Sequence, residues 1–252
     1  MIVFQIMLAG QCIEVHTEHK SYPDYFSGYC LPEDSRRDPD HIVQVEPADI
    51  EREKSYYRIQ CGLSENAPVE RSDYAFEMTA LYRKITTFLL KKGTIIMHGS
   101  AIGVNGQSIL FSAPSGVGKS THVSYWKEVY GDRVTVVNDD KPLIRTDDCK
   151  CIVCGSPWSG AHHLHRNIEM PLKAICFLER GETNEVIPLS ATAALPRFMQ
   201  AVNRPADHGD MDDLMAAITR IVRWAKFFMV RCVNDSSAAG FAYKALFQER
   251  LK

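Results

Sequence analysis

Apolar and polar residues alternate, or cluster in short runs, over much of the chain, and this pattern predicts an α/β protein. Two β-rich runs at residues 2–8 and 11–16 flank Ala9-Gly10, which predicts a hairpin. The polar stretch from Ser21 to Asp40 contains three prolines and is expected to be a solvated loop. His41–Val45 then alternates like a further strand.

A helical period follows these strands. Apolar residues recur at helical spacing between Asp73 and Lys91, Asp73 suits the N-cap, and Gly93 ends the helix. After this glycine the sequence pattern changes from one long helical period to short β-rich runs separated by turns. We therefore predict a smaller N-terminal α+β lobe at residues 1–92, with strands plus the helix at 73–91, and a larger core at residues 93–252.

The core alternates short strands and helices. The turn Asn105-Gly106 is a strong hairpin signal. Clustered hairpins together with helices predict an α/β domain with a mixed sheet. The predicted strands are residues 95–97, 101–104, 108–112, 133–137, 142–145, 151–154, 171–179 and 227–232, and the predicted helices are residues 118–130, 191–200, 209–226 and 236–250.

Composition narrows the class of protein. The chain carries 29 basic and 31 acidic residues, a net charge of −2 that argues against a nucleic-acid partner, because such proteins usually carry a basic excess. No apolar run approaches the ~20 residues of a membrane span. The first residues lack the basic region and cleavage site of a signal peptide. These features predict a cytoplasmic protein with no membrane partner.

The eight cysteines are scattered along the chain and are expected to be reduced thiols. Cys149, Cys151 and Cys154 form a tight group. Alternation places Cys149 and Cys151 on one face of a strand, whereas a structural zinc normally needs four ligands and no second pair stands at finger-like spacing. A pleated strand is the preferred interpretation, and a metal site is the alternative.

The segment after the strand at 108–112 has the character of a phosphate-binding loop. It reads Ala-Pro-Ser-Gly-Val-Gly-Lys-Ser-Thr and opens a helix, so backbone N–H groups and the helix N-terminus can point at an anion. The glycines let the backbone wrap closely, the lysine reaches the β- and γ-phosphates, and the serine hydroxyl can bind Mg²⁺. Ala113 stands where the standard pattern has its first glycine. The predicted nucleotide-binding residues are Ser115, Gly116, Val117, Gly118, Lys119, Ser120 and Thr121.

Two adjacent carboxylates close the strand at 133–137, in the sequence Asn138-Asp139-Asp140. Phosphoryl transfer needs a carboxylate for the metal and a second group that positions or deprotonates the attacking hydroxyl. Asn and Asp also favour turns. Because these aspartates accompany a lysine-bearing phosphate loop, we interpret them as catalytic.

These segments together resemble the HPr serine kinase/phosphorylase family, and more closely its short kinase-like homologues. The resemblance covers residues 94–180 well and the C-terminal helices more loosely. It implies a mixed-sheet core of the type that these kinases share with phosphoenolpyruvate carboxykinase. The resemblance rests on an ordered set of segments: His98-Gly99-Ser100-Ala101, the phosphate loop, Asn-Asp-Asp, Gly-Ser-Pro-Trp-Ser-Gly at residues 155–160, and Pro-Leu-Lys-Ala-Ile-Cys-Phe-Leu-Glu-Arg-Gly at residues 171–181.

The resemblance also implies roles for single residues. Asp139 would accept the hydroxyl proton and Asp140 would bind Mg²⁺ together with Ser120, although the two aspartates could be exchanged. Lys119 would offset charge on the transferring group. His98 would sit beside the aspartates and tune their charge; the alternative is a strand-end histidine that is satisfied by backbone groups. A substrate loop would comprise Trp158, Ser159, Gly160, His162, His163, His165 and Arg166.

The substrate loop departs from the family pattern. A basic or polar residue is expected after Pro-Trp-Ser-Gly, and this chain has Ala161 followed by three histidines within four positions and Arg166. The histidines raise the alternative of a metal site, but a fourth ligand is not evident nearby. Their place beside a phosphate site favours substrate contact.

The resulting hypothesis is an ATP- and Mg²⁺-dependent kinase acting on a serine or threonine hydroxyl of a protein, peptide or small molecule. One alternative is a phosphorylase or a carboxykinase-like phosphotransferase. Another is a nucleotide-binding module with little turnover, which the alanines at positions 113 and 161 suggest. Residue patterns do not specify the acceptor, the nucleobase or the oligomeric state, and the resemblance leaves a homo-oligomer open.

Overall fold

The computed structural model describes residues 1–147, 149–205 and 207–247, and the chain divides into two compact units, Met1–Lys92 and Gly93–Lys252. Each unit has its own β-sheet with flanking helices, so the protein is a mixed α/β protein. Across the described parts of both units, no helix has the length and apolar character to cross a membrane.

The first unit begins with the predicted hairpin, which is confirmed. Strands β1 (Ile2–Leu8) and β2 (Gln11–Thr17) pair antiparallel, with Ala9 and Gly10 at positive φ in the turn. Strand β3 (His41–Gln44) pairs parallel to β2 and completes a three-stranded sheet.

The expectation of a solvated loop from Ser21 to Asp40 is wrong in part. This segment contains helix α1 (Tyr22–Tyr25) and a 3-10 helix at Glu33–Ser35. Three aromatic side chains on it are almost fully buried. Because they are spread among polar residues, they form no periodic pattern that the sequence could display; they are Tyr22, Phe26 and Tyr29.

Two helices complete the first unit. Helix α3 (Asp73–Lys91) confirms the predicted helix, but its N-cap is Ser72, whose Oγ accepts the N–H of Ala75 at 3.3 Å. Helix α2 (Pro47–Gln60) was not predicted. Charged residues dominate α2, so ion pairs to α3, such as Arg83 Nη2 to Glu53 at 2.9 Å, replace an apolar stripe.

The second unit contains a sheet of nine strands within its described residues. The predicted strands are confirmed with small shifts of their ends, and β11, an edge strand with a proline, was not predicted. The strands are β4 (Thr94–Ile96), β5 (Ser100–Val104), β6 (Gln107–Ser112), β7 (Val134–Asn138), β8 (Leu143–Thr146), β9 (Cys151–Cys154), β10 (Glu169–Arg180), β11 (Glu185–Leu189) and β12 (Lys226–Cys232).

The predicted helices of this unit are also confirmed. The last one was expected to reach residue 250, and residues 248–250 lie outside the described part of the chain. The helices are α4 (Lys119–Tyr130), α5 (Ala191–Ala201), α6 (Met211–Trp224) and α7 (Ser237–Phe247).

Strand β10 organises the sheet, whose order is β4-β8-β9-β10-β6-β5-β7 with β12 added beside β10. Its first residues pair antiparallel with β9, and its later residues pair parallel with both β6 and β12. Phe177 pairs with Ser112, the last residue of β6, so β10 continues for three residues beyond that strand. The loop after β6 therefore runs beside the end of β10.

All eight cysteines are free. The expectation that Cys149 shares a strand face with Cys151 is wrong, because β9 begins at Cys151. Cys149 lies exposed in a turn, where Asp147 Oδ1 accepts the N–H groups of Cys149 at 2.9 Å and of Lys150 at 2.8 Å. Within the ranges that the structure describes, no group of three or more His, Cys, Asp or Glu residues is arranged to hold a metal ion.

Candidate functional site

The predicted phosphate loop connects β6 to α4. Gly116 and Gly118 have φ values of +81° and +116°, in the left-handed region that favours glycine. A Cβ atom at either position would meet nothing within 4 Å. The two glycines are therefore required by the path of the backbone and not by crowding, and that path turns the loop onto the N-terminus of α4.

Lys119 is the first residue of α4, and its side chain folds back over the loop. The Nζ atom donates to the carbonyl oxygen of Ala113 at 2.9 Å. Partial burial lowers the pKa of Lys119, an effect that Asp140 opposes. The contact uses a backbone carbonyl, so alanine in place of the usual glycine leaves it intact.

His98 and Asp140 face each other beside this lysine. His98 Nε2 lies 3.4 Å from Asp140 Oδ1, and Lys141 Nζ lies 3.7 Å from Asp140 Oδ2. Burial lowers the pKa of His98, the charges of Lys119 and Lys141 lower it further, and Asp140 opposes them. These effects favour the neutral form of His98, which lies next to a carboxylate and a lysine.

Backbone hydrogen bonds fix the segment that carries His98. Its N–H donates to Ala201 O at 2.7 Å, and its carbonyl accepts the hydroxyl of Ser112 at 2.9 Å. The next residue, Gly99, has to be glycine because a Cβ there would come within 2.7 Å of Phe111 O. The backbone of His98 is thus held at both its N–H and its carbonyl, while its side chain reaches Asp140.

Asn138 is a site residue to which the sequence analysis assigned no role. Its buried Nδ2 donates to Ser156 O at 2.9 Å and to Trp158 O at 3.1 Å. Its Oδ1 accepts the N–H groups of Asp140 at 2.9 Å and Lys141 at 2.6 Å. Asn138 therefore sets the direction in which Asp140 leaves the strand.

Asp139 points to the other side of the strand end. Its Oδ1 accepts the N–H of Gly160 at 2.7 Å, and its Oδ2 accepts the N–H of Leu164 at 3.4 Å. It lines a cavity of about 440 Å³ together with Ser120, Thr121 and His162. The two aspartates consequently have different surroundings: Asp140 faces His98, and Asp139 faces the Ser120 side of the loop.

The residues of the predicted substrate loop differ in their exposure to solvent. Trp158 is buried, Ser159 and Gly160 are half-buried, and His162, His163 and Arg166 are exposed. His165 is half-buried; burial lowers its pKa, Asp139 opposes this, and His163 adds to it. Of this loop, Gly160, His162 and His165 lie in the surroundings of Asp139.

Close approach of neighbouring atoms requires glycine at positions 155 and 160. A Cβ at Gly155 would overlap the carbonyl oxygen of Arg166, and one at Gly160 would come within 3.3 Å of Asp139 Oδ2.

A second, larger cavity of about 650 Å³ lies on the other side of the phosphate loop. Its walls are the start of the loop, His98, the end of β10 and one side of α5. The charged or amide side chains that line it are Glu179, Arg180, Arg197 and Gln200. Such a volume is in the range of small-molecule sites, ≈ 300–1,000 Å³.

The residues beside the loop suit Mg²⁺. Mg²⁺ takes oxygen ligands, keeps several waters, and is bound through one or two carboxylates together with substrate phosphates. The hydroxyl of Ser120 and the carboxylate of Asp139 line one cavity and are the oxygen ligands that would hold the ion there. No cage made wholly of protein side chains is needed.

Comparison with known proteins gives a sequence family and distant fold likenesses to solved structures. The family model of the SynChlorMet cassette protein ScmC matches residues 59–217, a segment that includes the phosphate loop and both aspartates. The HPr(Ser) kinase/phosphatase from Coxiella burnetii is 7% identical, with a TM-score of 0.34, over 59% of this chain and 94% of that chain. None of the curated proteins matches this chain in sequence.

Proposed function

Since the chain belongs to the ScmC family of SynChlorMet cassette proteins and the matched segment includes the phosphate loop, we propose that it is a kinase. It uses ATP and Mg²⁺ and transfers the γ-phosphoryl group to a serine or threonine hydroxyl of a protein, peptide or small molecule. One observation carries the proposal. The phosphate loop with Lys119 lies close to His98 and Asp140, at the shared end of strands β5, β6 and β7. The core is proposed to be of the HPr kinase/phosphoenolpyruvate carboxykinase type.

The loop binds the donor through backbone groups. The left-handed glycines direct N–H groups towards an anion, and the N-terminus of α4 adds its partial positive charge. Lys119 moves from the carbonyl of Ala113 to the β- and γ-phosphates. Its charge then offsets the charge that develops on the transferring group.

Asp140 accepts the proton of the acceptor hydroxyl in this proposal, and Asp139 with Ser120 holds Mg²⁺. This exchanges the two roles first expected. Support comes from the surroundings: neutral His98 lies against Asp140, while Asp139 and Ser120 line the same cavity. When bound, Mg²⁺ neutralises charge on the phosphate oxygens.

The proposal is tested by incubating the protein with γ-labelled ATP, Mg²⁺ and a panel of serine, threonine and small hydroxyl acceptors. We expect transfer by the wild type and a loss of about 100-fold or more in Lys119→Ala and Asp140→Asn. Lys244→Ala, an exposed position on α7, serves as the control. Transfer that survives both site changes would contradict the assignment.

A nucleotide-binding module with little turnover is the second candidate. The observation that favours it is the engagement of both Asp139 oxygens by backbone N–H groups. Calorimetry that finds MgATP binding, together with no transfer to any acceptor on the panel, would favour the module over the kinase.

A further inference from the structure

Arg180, the last residue of β10, forms a link between this strand and the phosphate loop. Its Nη2 donates to the carbonyl oxygen of Gly116 at 2.9 Å, and its Nε donates to that of Val117 at 3.4 Å. The link follows from the length of β10, which passes the end of β6 by three residues and so reaches the loop. Sequence reasoning about the loop did not include this residue.

The two carbonyls belong to the same peptide units as the N–H groups of Val117 and Gly118. In a planar trans peptide the C=O and N–H point in opposite directions. A donor that holds the carbonyl of Gly116 from outside therefore directs the N–H of Val117 inwards, and the same holds for Val117 and the N–H of Gly118. In this structure the N–H of Val117 donates to Pro114 O at 3.4 Å, so a phosphate oxygen would take the place of this carbonyl as its acceptor.

The neighbouring Glu179 binds two other arginines. Glu179 accepts Arg197 Nη2 at 3.1 Å and Arg231 Nε at 3.2 Å. Partial burial raises the pKa of Glu179, but these hydrogen bonds outweigh it and the pKa is lowered. Glu179 is therefore a charged partner for two arginines, whereas Arg180 is directed to the loop.

We propose that Arg180 is a positioning residue of the phosphate loop: it holds the Gly116 and Val117 peptide units so that their N–H groups face the donor's phosphates. This rests on the proposed nucleotide-binding function. Because the link acts on groups that contact phosphate, it should affect every polyphosphate ligand and not only nucleotides. A charge-assisted bond of this kind supports an effect of about tenfold on affinity.

The test measures binding of MgATP and of magnesium tripolyphosphate to the full chain by calorimetry. Arg180→Ala is expected to weaken both about tenfold, with the kinase KM for ATP raised and kcat little changed. Arg180→Lys, which keeps a donor and the charge, should recover part of the affinity. Arg231→Ala is the matched control, because this arginine binds the same Glu179 and carries no described contact to the loop.

Two further measurements separate a positioning role from a loss of folding. Arg180→Met keeps most of the side-chain stem and should weaken binding as Arg180→Ala does, at an unchanged Tm. Without any ligand, hydrogen exchange of the 113–119 segment should be faster in both variants. If the wild type binds and Arg180→Ala and Arg180→Met bind as tightly, the role of Arg180 is refuted; if the wild type binds neither ligand, the proposed function fails and this inference with it.

Discussion

The carboxylate of Asp139 accepts the backbone N–H of Gly160 at 2.7 Å, and this bond anchors one loop beside another. The second oxygen accepts the N–H of Leu164 at 3.4 Å, and the Asp139 N–H donates in turn to Leu164 O at 3.0 Å. A residue first expected to be a catalytic base therefore also fixes the wall of the site.

Asp139→Asn should loosen that wall. An asparagine has one side-chain oxygen, so its amide group would face a backbone N–H that then lacks an acceptor, at a cost of about 1–3 kcal/mol. We expect a lower free energy of unfolding and faster hydrogen exchange at residues 159–166. Asp147→Asn is the control, because a single oxygen of Asp147 accepts both of its backbone N–H groups. Equal effects of the two substitutions would contradict the anchoring role.

The pH dependence of kcat/KM should report His98. Burial lowers its pKa below the ordinary 6.5, and the charge of Lys119 lowers it further. The charge of Asp140 acts in the opposite direction. The neutral form is present above the pKa and lost below it, so kcat/KM should fall at a more acidic pH than an ordinary histidine would give. His98→Gln should lower the plateau and remove the part of the acid limb due to His98. An acid limb that is identical in the variant would assign it to another group.

Gly118→Ala should impair nucleotide binding through backbone strain. Gly118 has φ +116°, where an L-residue is strained by about 1–3 kcal/mol, and no atom lies near the added methyl. Gly106→Ala is the matched control, because Gly106 also has positive φ (+74°) and open space but lies in the β5–β6 turn. Both variants should lose stability in thermal unfolding, and Gly118→Ala alone should lose affinity for MgATP.

Stability should rise with pH between pH 4 and pH 6.5 because of His122. Burial lowers the pKa of this residue from 6.5 to about 4, so the unfolded chain binds more protons than the folded one in this window. The contribution is present above pH 6.5 and lost as the pH falls towards 4; its size is about 3 kcal/mol. Urea unfolding at several pH values measures it. His122→Gln should reduce the dependence of the unfolding free energy on pH. The same substitution at the exposed His163 should leave this dependence unchanged.

Local patterns made much of the second unit predictable. The strand, the glycine-bearing loop and the helix at residues 107–130 are contiguous, and each has its own signal in the side chains, from β-rich residues to left-handed glycines. Helix α2 lacks such a signal, since ion pairs to α3 take the place of an apolar face. Where tertiary contacts hold a helix in place of an apolar face, the sequence pattern does not predict the helix.

Contacts between distant residues account for the parts of the site that were not predicted. Asn138 binds backbone groups of Ser156 and Trp158, and Arg180 binds the loop at Gly116. No spacing along one chain encodes such pairs. The pairing of β10 with β6 brings Arg180 to the loop, and the segment after β9 reaches Asn138 without strand pairing. An alignment signal of joint variation between Arg180 and the loop would have been one way to find them.

The twelve residues of β10 restrict where insertions and deletions can occur in this protein family. Because side chains alternate faces along a strand, one inserted or deleted residue within it would reverse every later side chain and move Arg180 by about 3.3 Å. Relatives of this chain should therefore keep this strand free of insertions and deletions. They can vary in length in the segment after Arg180, between β10 and β11, where the added chain would displace no residue of the site.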